Sequence, residues 1–298
     1  MVGSSNQRLF VIVDEKGNTI TDAPAMPPLT ERQEQEAEDR TSVSALVVHE
    51  AIRKDGDEEL RRPISALAWS GLAAGLSMGF SFVAEALFRT YTPAAPWRPL
   101  ITNLGYPLGF LIVIVGRQQL FTENTLTAII PLLARRNLAT LWQVLRLWAV
   151  VLAANIAGAH IFAWVLGNTS VLHAKFHPAL GQLATEAADV SFGTAILRGI
   201  FAGWLIAMVV WMLAATDSNR IPIIILMTYI VGLAGLTHIV AGSVEVLFLV
   251  MTGVKTWLSF LGGYMIPTLI GNVLGGVALV SALNHAQVIA GAPPGKRT

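Results

Sequence analysis

Six long apolar stretches, joined by short polar connections, dominate the pattern of this chain, and they fall into two similar halves. The stretches read at roughly 64–88, 103–134, 138–167, 190–215, 221–252 and 257–284. A helix needs about 20 mostly apolar residues to cross a bilayer, and four of these runs suit one simple helix each. The second and fifth are too long and too polar in the middle, so they split at about 117–124 and 236–242. The two interruptions align without a gap: residues 115–126 (VGRQQLFTENTL) lie against residues 231–242 (VGLAGLTHIVAG), which puts Thr122 opposite His238. Interrupted spans at matching places in two halves are the best sequence pointer to a transporter or channel site.

The repeat extends into the intact spans. Gly71 and Gly75 in the first parallel Gly199 and Gly203 in the fourth, and Asn155-x-x-Gly158 in the third parallels Asn272-x-x-Gly275 in the sixth. Small residues at this spacing let helices approach closely, and packing is their first reading. Three spans per half is an odd number, so the second half enters the bilayer from the opposite side. The expected fold is all-α and integral to the membrane: six transmembrane helices in two inverted three-helix repeats, with helices two and five broken. Residues 1–60 form a polar N-terminal segment, 61–286 the six-span domain and 287–298 a tail. The segment 8–21 reads as a small hairpin turning at Gly17-Asn18 or as an unstructured tail; Pro24, Pro27 and Pro28 mark a linker. Residues 42–60 read as an amphipathic helix, lying on the membrane surface or packed under the bundle.

Composition agrees with the pattern. Of 298 residues, 54% are hydrophobic and 13% charged, well under the quarter expected of a soluble domain. The net charge of +1 gives nucleic acid no foothold, and the absence of cysteine excludes disulfides and thiolate metal sites. The polar N-terminus does not resemble a cleavable signal. With the N-terminus inside, Arg53, Lys54, Arg61, Arg62, Arg135, Arg136, Arg220, Lys296 and Arg297 fall on the cytoplasmic side. Only Arg89, Arg98, Lys175 and Lys255 fall outside, and this bias places both termini in the cytoplasm.

The chemistry concentrates at the breaks. Broken backbone in lipid survives only where it is buried in protein or lines a polar path. Half-helices restarting near Thr125 and Gly242 would turn partial positive charge toward an anion. His238 stands alone in an apolar run and can change charge near neutral pH; Thr122 is positioned to hold its tautomer or touch a permeant, or else to cap a helix. Glu123 and Glu245 read as structural pairs with Arg117 and Arg198, or as selectivity groups, since intramembrane carboxylates are costly. Glu85 reads as interfacial, near Arg89. His173 and His177 lie four apart but beside Pro178 and far from a carboxylate, a poor metal site. No nucleophile, base and orienting group occur together, so an enzyme is not expected, nor is a metal or cofactor.

At these residues the chain resembles the formate/nitrite transporter family. The resemblance rests on Leu120-Phe121-Thr122, on His238 in the fifth span, on Asn155-x-x-Gly158 and on Asn272-x-x-Gly275-Gly276, and covers roughly 61–285. The stretch from Val48-His49-Glu50 to Arg62-Pro63 is similar to the YfdC-like inner-membrane branch and extends the likeness to about residue 43. The resemblance implies an aquaporin-like fold, a homopentamer with one pore per protomer in a bacterial inner membrane, and passage of formate, nitrite or another small monovalent anion, often with a proton. The family's threonine falls on Thr122 and its central histidine on His238. Apolar constrictions would fall near Phe110, Leu120, Phe121 and Val231, with Asn155 and Asn272 shaping the wall.

Departures from the family are specific. Its lysine before the fourth span falls on Ala187, beside Glu186 and Asp189; its asparagine in span four falls on Gly203. Glu123 replaces a loop glycine, and Gly242 replaces an asparagine. Three readings follow. One is a pH-dependent pore for a small anion or its weak acid, with His238 lending a proton. Another keeps the fold but admits a cation or neutral solute past Glu123 and Glu245. The third is a membrane scaffold binding a partner through residues 1–60.

Overall fold

The computed structural model describes residues 29–33, 43–216 and 218–291. The segment read as a hairpin or tail lies outside them, as do the prolines of the linker. The chain divides into two compact units, Met1–Ser42 and Val43–Thr298. In the first, Thr30 and Gln33 form a reciprocal helix-start box: Thr30 N donates to Gln33 Oε1 at 3.0 Å, and Gln33 N donates to Thr30 Oγ1 at 3.4 Å.

The second unit is helical, with no strand among the described residues. It opens with α1, Ala45–Arg61, started by Ser44, whose hydroxyl accepts from Val47 N. Of the two placements open for this amphipathic segment, packing under the bundle is the one adopted. Val48 and Ile52 are buried with Leu126, Ile130, Ala207 and Val280. Gly56 sits so close that a Cβ would stand 2.0 Å from Thr127 O. The compact unit therefore begins at Val43, with α1 inside it.

The spans follow. α2 is Ile64–Tyr91. α3, Arg98–Thr102, runs through one tight turn into α4, Pro107–Val115. After a break come α5, Phe121–Thr127, and α6, Ile129–Arg135. α7 is Leu138–Asn168, capped by Asn137 Oδ1 on Thr140 N at 2.8 Å. α8, His177–Ala188, lies in the connection between the third and fourth spans, where the apolar pattern announces nothing. Its Leu180 and Ala184 are buried with Phe82 and Leu247. α9 is Phe192–Ala214, and α10, Arg220–Leu233, breaks before α11, Ala241–Met251. The last span runs from Ser259 to Ala290, with π-turns at Ser259–Met265 and Gly275–Ala282 flanking α12, Ile266–Leu274, and α13, Leu283–Ala290, at its end. Among the described residues, five helices are long and apolar enough to cross a membrane, and α10 and α11 are shorter apolar helices.

The glycines of the repeat work as packing points. α2 lies along α7 and α9 along α12 in the same way. A Cβ at Gly75 would stand 2.1 Å from Asn155 O, and one at Gly203 would stand 2.3 Å from Asn272 O. The family asparagine that Gly203 replaces has no room here, because another backbone occupies its space.

Candidate functional site

Each half carries one broken span, and each break is built by the same backbone bonds. In the first, Gly116 N donates to Ile112 O, Arg117 N to Ile114 O and Gln118 N to Val113 O. In the second, Ala234 N donates to Ile230 O, Gly235 N to Gly232 O and Leu236 N to Val231 O. Arg117 and Gly235 occupy the same left-handed position, at φ 51° and 59°. The structural equivalence is therefore two residues away from the gapless sequence match: Leu120, not Thr122, is the counterpart of His238.

Asn155 and Asn272 brace these breaks. Asn155 Nδ2 donates to Gly71 O and Gln119 O at 2.8 and 2.9 Å, and its Oδ1 accepts from Phe121 N at 2.9 Å. Asn272 repeats the pattern on Gly199 O, Thr237 O and Ile239 N, each at 2.9 Å. Both side chains are fully buried and spend these polar atoms on backbone. Their place is structural: they satisfy the groups that a break strands in an apolar medium.

Thr122 and His238 meet although they are not repeat partners. Thr122 Oγ1 lies 2.9 Å from His238 Nε2, and both residues are buried. The other ring nitrogen, Nδ1, accepts from the amides of Val240 and Ala241 at 3.3 and 3.2 Å. Two donors aimed at Nδ1 make it the acceptor, so the ring N–H sits on Nε2 and points at the threonine. Phe110 stands edge-on to the imidazole, 5.0 Å between ring centroids. Tyr264 donates to His238 O at 3.1 Å. A Cβ at Gly242 would fall 1.7 Å from the Tyr264 hydroxyl, so the tyrosine fills the space that the family asparagine would need.

The half-helices restart at Phe121 and Ala241, the first of them four residues before the expected Thr125. Their leading amides are taken by Asn155 and His238 rather than held open for an anion.

A cavity of about 310 Å³ reaches His238 from the face carrying Arg89 and Arg98. Arg198, Tyr264, Glu85 and Glu245 line it. Neither Glu123 nor Glu245 makes the expected pair with Arg117 or Arg198. Arg117 is exposed on the break beside Arg220, and Glu123 lies off this cavity on α5. Glu85, read as interfacial, is only 4% exposed and lines the cavity; α2 runs on to Tyr91, which leaves Glu85 more than a turn inside. The acidic residues beside Ala187 are neutralised: Glu186 accepts from Arg89 at 2.5 and 2.8 Å, and Asp189 from Lys255 at 3.0 Å. Arg198 makes no ion pair among the described residues and supplies a cation to the cavity where the family lysine is missing.

The apolar residues proposed as constrictions are all buried in one core. Phe110 packs on His238, Leu120 precedes α5, Phe121 stands edge-on to Trp148, and Val231 O accepts from Leu236 N. The first break has a polar lock of its own. Glu59 of α1 accepts from Thr127 Oγ1 at 2.6 Å, Asn124 Nδ2 at 3.0 Å and Gln119 Nε2 at 3.3 Å. Burial pushes the Glu59 carboxyl above its ordinary range, and these three donors oppose that push. His173 and His177 do not share a helix: His173 Nδ1 accepts from Lys175 N, and His177 opens α8.

The comparisons agree with this architecture. A profile of the formate/nitrite transporter family matches residues 46–286. The inner membrane protein YfdC of Escherichia coli (strain K12) is 41% identical over 251 residues, which cover 84% of this chain and 81% of that protein. A solved pentameric formate channel with formate bound superposes with a TM-score of 0.63 at 21% identity, covering 79% of this chain and 98% of the channel. An ion channel of the same family gives 0.70 at 18% identity, covering 80% and 98%. The two solved neighbours are channels. The chain belongs to the formate/nitrite transporter family.

Proposed function

We propose that this protein is a channel-type transporter for a small monovalent anion or its conjugate weak acid, with formate and nitrite as the substrates to try first. The observation that carries the reading is the Thr122–His238 contact at the end of a cavity, where the two broken spans meet. The family profile and the formate-bound neighbour support the substrate class.

His238 acts as a fixed hydrogen-bond donor in this reading. Its Nδ1 is occupied by two amides. Giving up the Nε2 proton would leave an imidazolate, and taking a second proton would break both amide contacts. The ring therefore orients Thr122, whose hydroxyl proton is left to meet the permeant. A proton for a weak acid must come from elsewhere.

The protein works as a homopentamer in a bacterial inner membrane, with both termini in the cytoplasm and the Arg89 face outside. The pentameric assembly of the formate-bound neighbour, the inner-membrane relative from Escherichia coli and the asymmetry of basic residues support this. Exposed Trp69, Trp142, Leu197 and Leu226 provide apolar surface for lipid or for neighbouring protomers. The reading that admits a cation finds support at Glu245, which lines the cavity, but not at Glu123, which does not.

The test is flux into proteoliposomes of purified protein, with formate, nitrite, acetate and ammonium at pH 5.5 and 7.5. Wild type should move formate or nitrite, and Thr122→Val and His238→Ala should each abolish that flux while the protein stays folded. Ammonium flux without anion flux would discard the reading.

A further inference from the structure

The cavity holds two carboxyl groups that the family reading does not use. Glu85 comes from α2 and Glu245 from the second turn of α11. Among the described residues neither makes a hydrogen bond or an ion pair, although both line the passage to His238. A further polar group stands unmatched there: Thr102, 3% exposed, lines the cavity and its Oγ1 has no partner. Two like charges facing one cavity of about 310 Å³ repel, and a carboxyl pair relieves this by holding one proton.

We propose that Glu85 and Glu245 are the proton donor of this transporter, sharing one proton and handing it to the permeant anion before it reaches His238. This rests on the weak-acid reading above and adds the source of the proton. The anion is drawn in by Arg198 and Arg98, since Arg89 is held by Glu186. In the transfer the carboxyl O–H bond breaks and an O–H bond forms on the permeant, giving a neutral acid and a carboxylate. Water from the Arg89 face returns the proton to the pair, and the acid loses its proton on leaving at the far side. Arg198 of α9, His238 and Tyr264 face the same space. Among them His238 is committed through Nδ1, and an arginine keeps its proton, so the two carboxyl groups are the donors within reach. Neutralising the anion here removes the desolvation cost of carrying a bare charge past Phe110 and the Thr122–His238 contact.

The experiment uses the full-length protein in proteoliposomes with a trapped pH dye and an external step of formate. Wild type should move one proton with each formate, faster at pH 5.5 than at pH 7.5. The double variant Glu85→Gln/Glu245→Gln should lower formate entry about a hundredfold, the scale set by a charge crossing an apolar slit, and should flatten the pH profile. Glu85→Asp and Glu245→Asp should retain the profile. If the double variant does not fold, Glu245→Gln alone is read, because Glu245 is half-buried and the amide is isosteric. The proposal is overturned by a variant that keeps proton movement and pH profile, by one that passes formate faster because two repelling charges are gone, or by wild-type formate entry without protons. Ammonium entry that the variant abolishes while formate entry stays intact would make the pair a cation site instead. In those outcomes the reading as a transporter of a small monovalent anion stands; a folded wild type that moves neither formate nor another weak-acid anion sinks that reading separately.

Discussion

The two broken spans share a skeleton and differ in what surrounds it. In both, an asparagine from the third span of its own half ties two carbonyls and one amide, and one left-handed residue turns the chain. The first break, however, is locked from α1 by Glu59 through Gln119, Asn124 and Thr127. The second carries His238 and opens on a cavity lined by Arg198, Glu85 and Glu245. The first break is tied to α1 by a polar network with Arg117 exposed at its edge, and the second opens on a cavity that reaches His238. The difference separates what holds a break together from what a break is used for. The asparagines should matter equally in both halves, while the Glu59 lock and the groups lining the cavity should act on one side only.

The largest effect tests the shared part. Asn155→Ala and Asn272→Ala each leave one carbonyl and one amide of the break, Gln119 O with Phe121 N and Thr237 O with Ile239 N, unpaired in a dry interior. At about 1–3 kcal/mol for each stranded group, either variant should lose several kcal/mol. Thermal unfolding in detergent should show a similar fall for both. A large fall for one and a small fall for the other would end the claim that the braces are equivalent.

Glu59→Ala comes next and is expected to be one-sided. It removes an acceptor from three donors, at a cost of about 1–3 kcal/mol where those donors stay dry. Hydrogen exchange should rise at residues 116–127 and stay unchanged at 234–242. A rise at both breaks would mean that α1 supports the whole bundle rather than the first break.

The asymmetry also explains which parts of the molecule were legible in the sequence. The apolar runs gave the spans to within a few residues, because crossing a bilayer constrains length and composition directly. The polar interruptions gave the breaks for the same reason. The register of the two breaks was not legible. The sequence match aligns Val115-Gly116 with Val231-Gly232, but the fold equates Gly116 with Ala234 and Arg117 with Gly235. That equivalence lives in backbone bonds and a shared left-handed turn, which different side chains satisfy. The meeting of Thr122 with His238 was still anticipated, since both lie at breaks that converge. Tyr264 was missed, and its signal was indirect: a glycine at 242 leaves a space that some other group must fill. Glu85 was misplaced because the length of α2, not composition, decides how deep it sits. Glu59 was missed because a carboxylate on a charged helix looks solvated until its three donors are seen.

A smaller effect sharpens the turn. Arg117 and Gly235 hold the same left-handed position, which costs an ordinary side chain roughly 1–2 kcal/mol. Arg117→Gly should recover part of that, offset by the greater freedom glycine gives the unfolded chain, for a net gain of about 0.5 kcal/mol. Gly235→Ala should lose about 1 kcal/mol by the same steric argument. Opposite signs of the shift in unfolding temperature are the readout, and equal signs would separate the two turns.

The smallest effect is a pH dependence confined to the α1 side. His49 Nε2 lies 2.9 Å from His285 Nδ1, a contact that ties α1 to α13. Burial first, and then the nearby His285, hold the His49 imidazole below its ordinary value of 6.5. The docked ring thus favours its neutral form, while an undocked ring takes a proton as the pH falls below 6.5. Undocking therefore binds protons, and α1 should be held fully above that pH and progressively less below it. Glu59, raised by burial, opposes this on the same helix, so the His49 share is read by hydrogen exchange against His49→Gln, because glutamine does not titrate. Between pH 7.5 and pH 5.5, corrected for the intrinsic effect of pH, the wild type should lose more protection across residues 45–61 than the variant. The second break, which makes no contact with His49, should show no change in protection between the two pH values. If the loss at low pH appeared at residues 234–242 as well, the separation between a break tied to α1 and one that opens toward His238 would be a feature of one pH rather than of the fold.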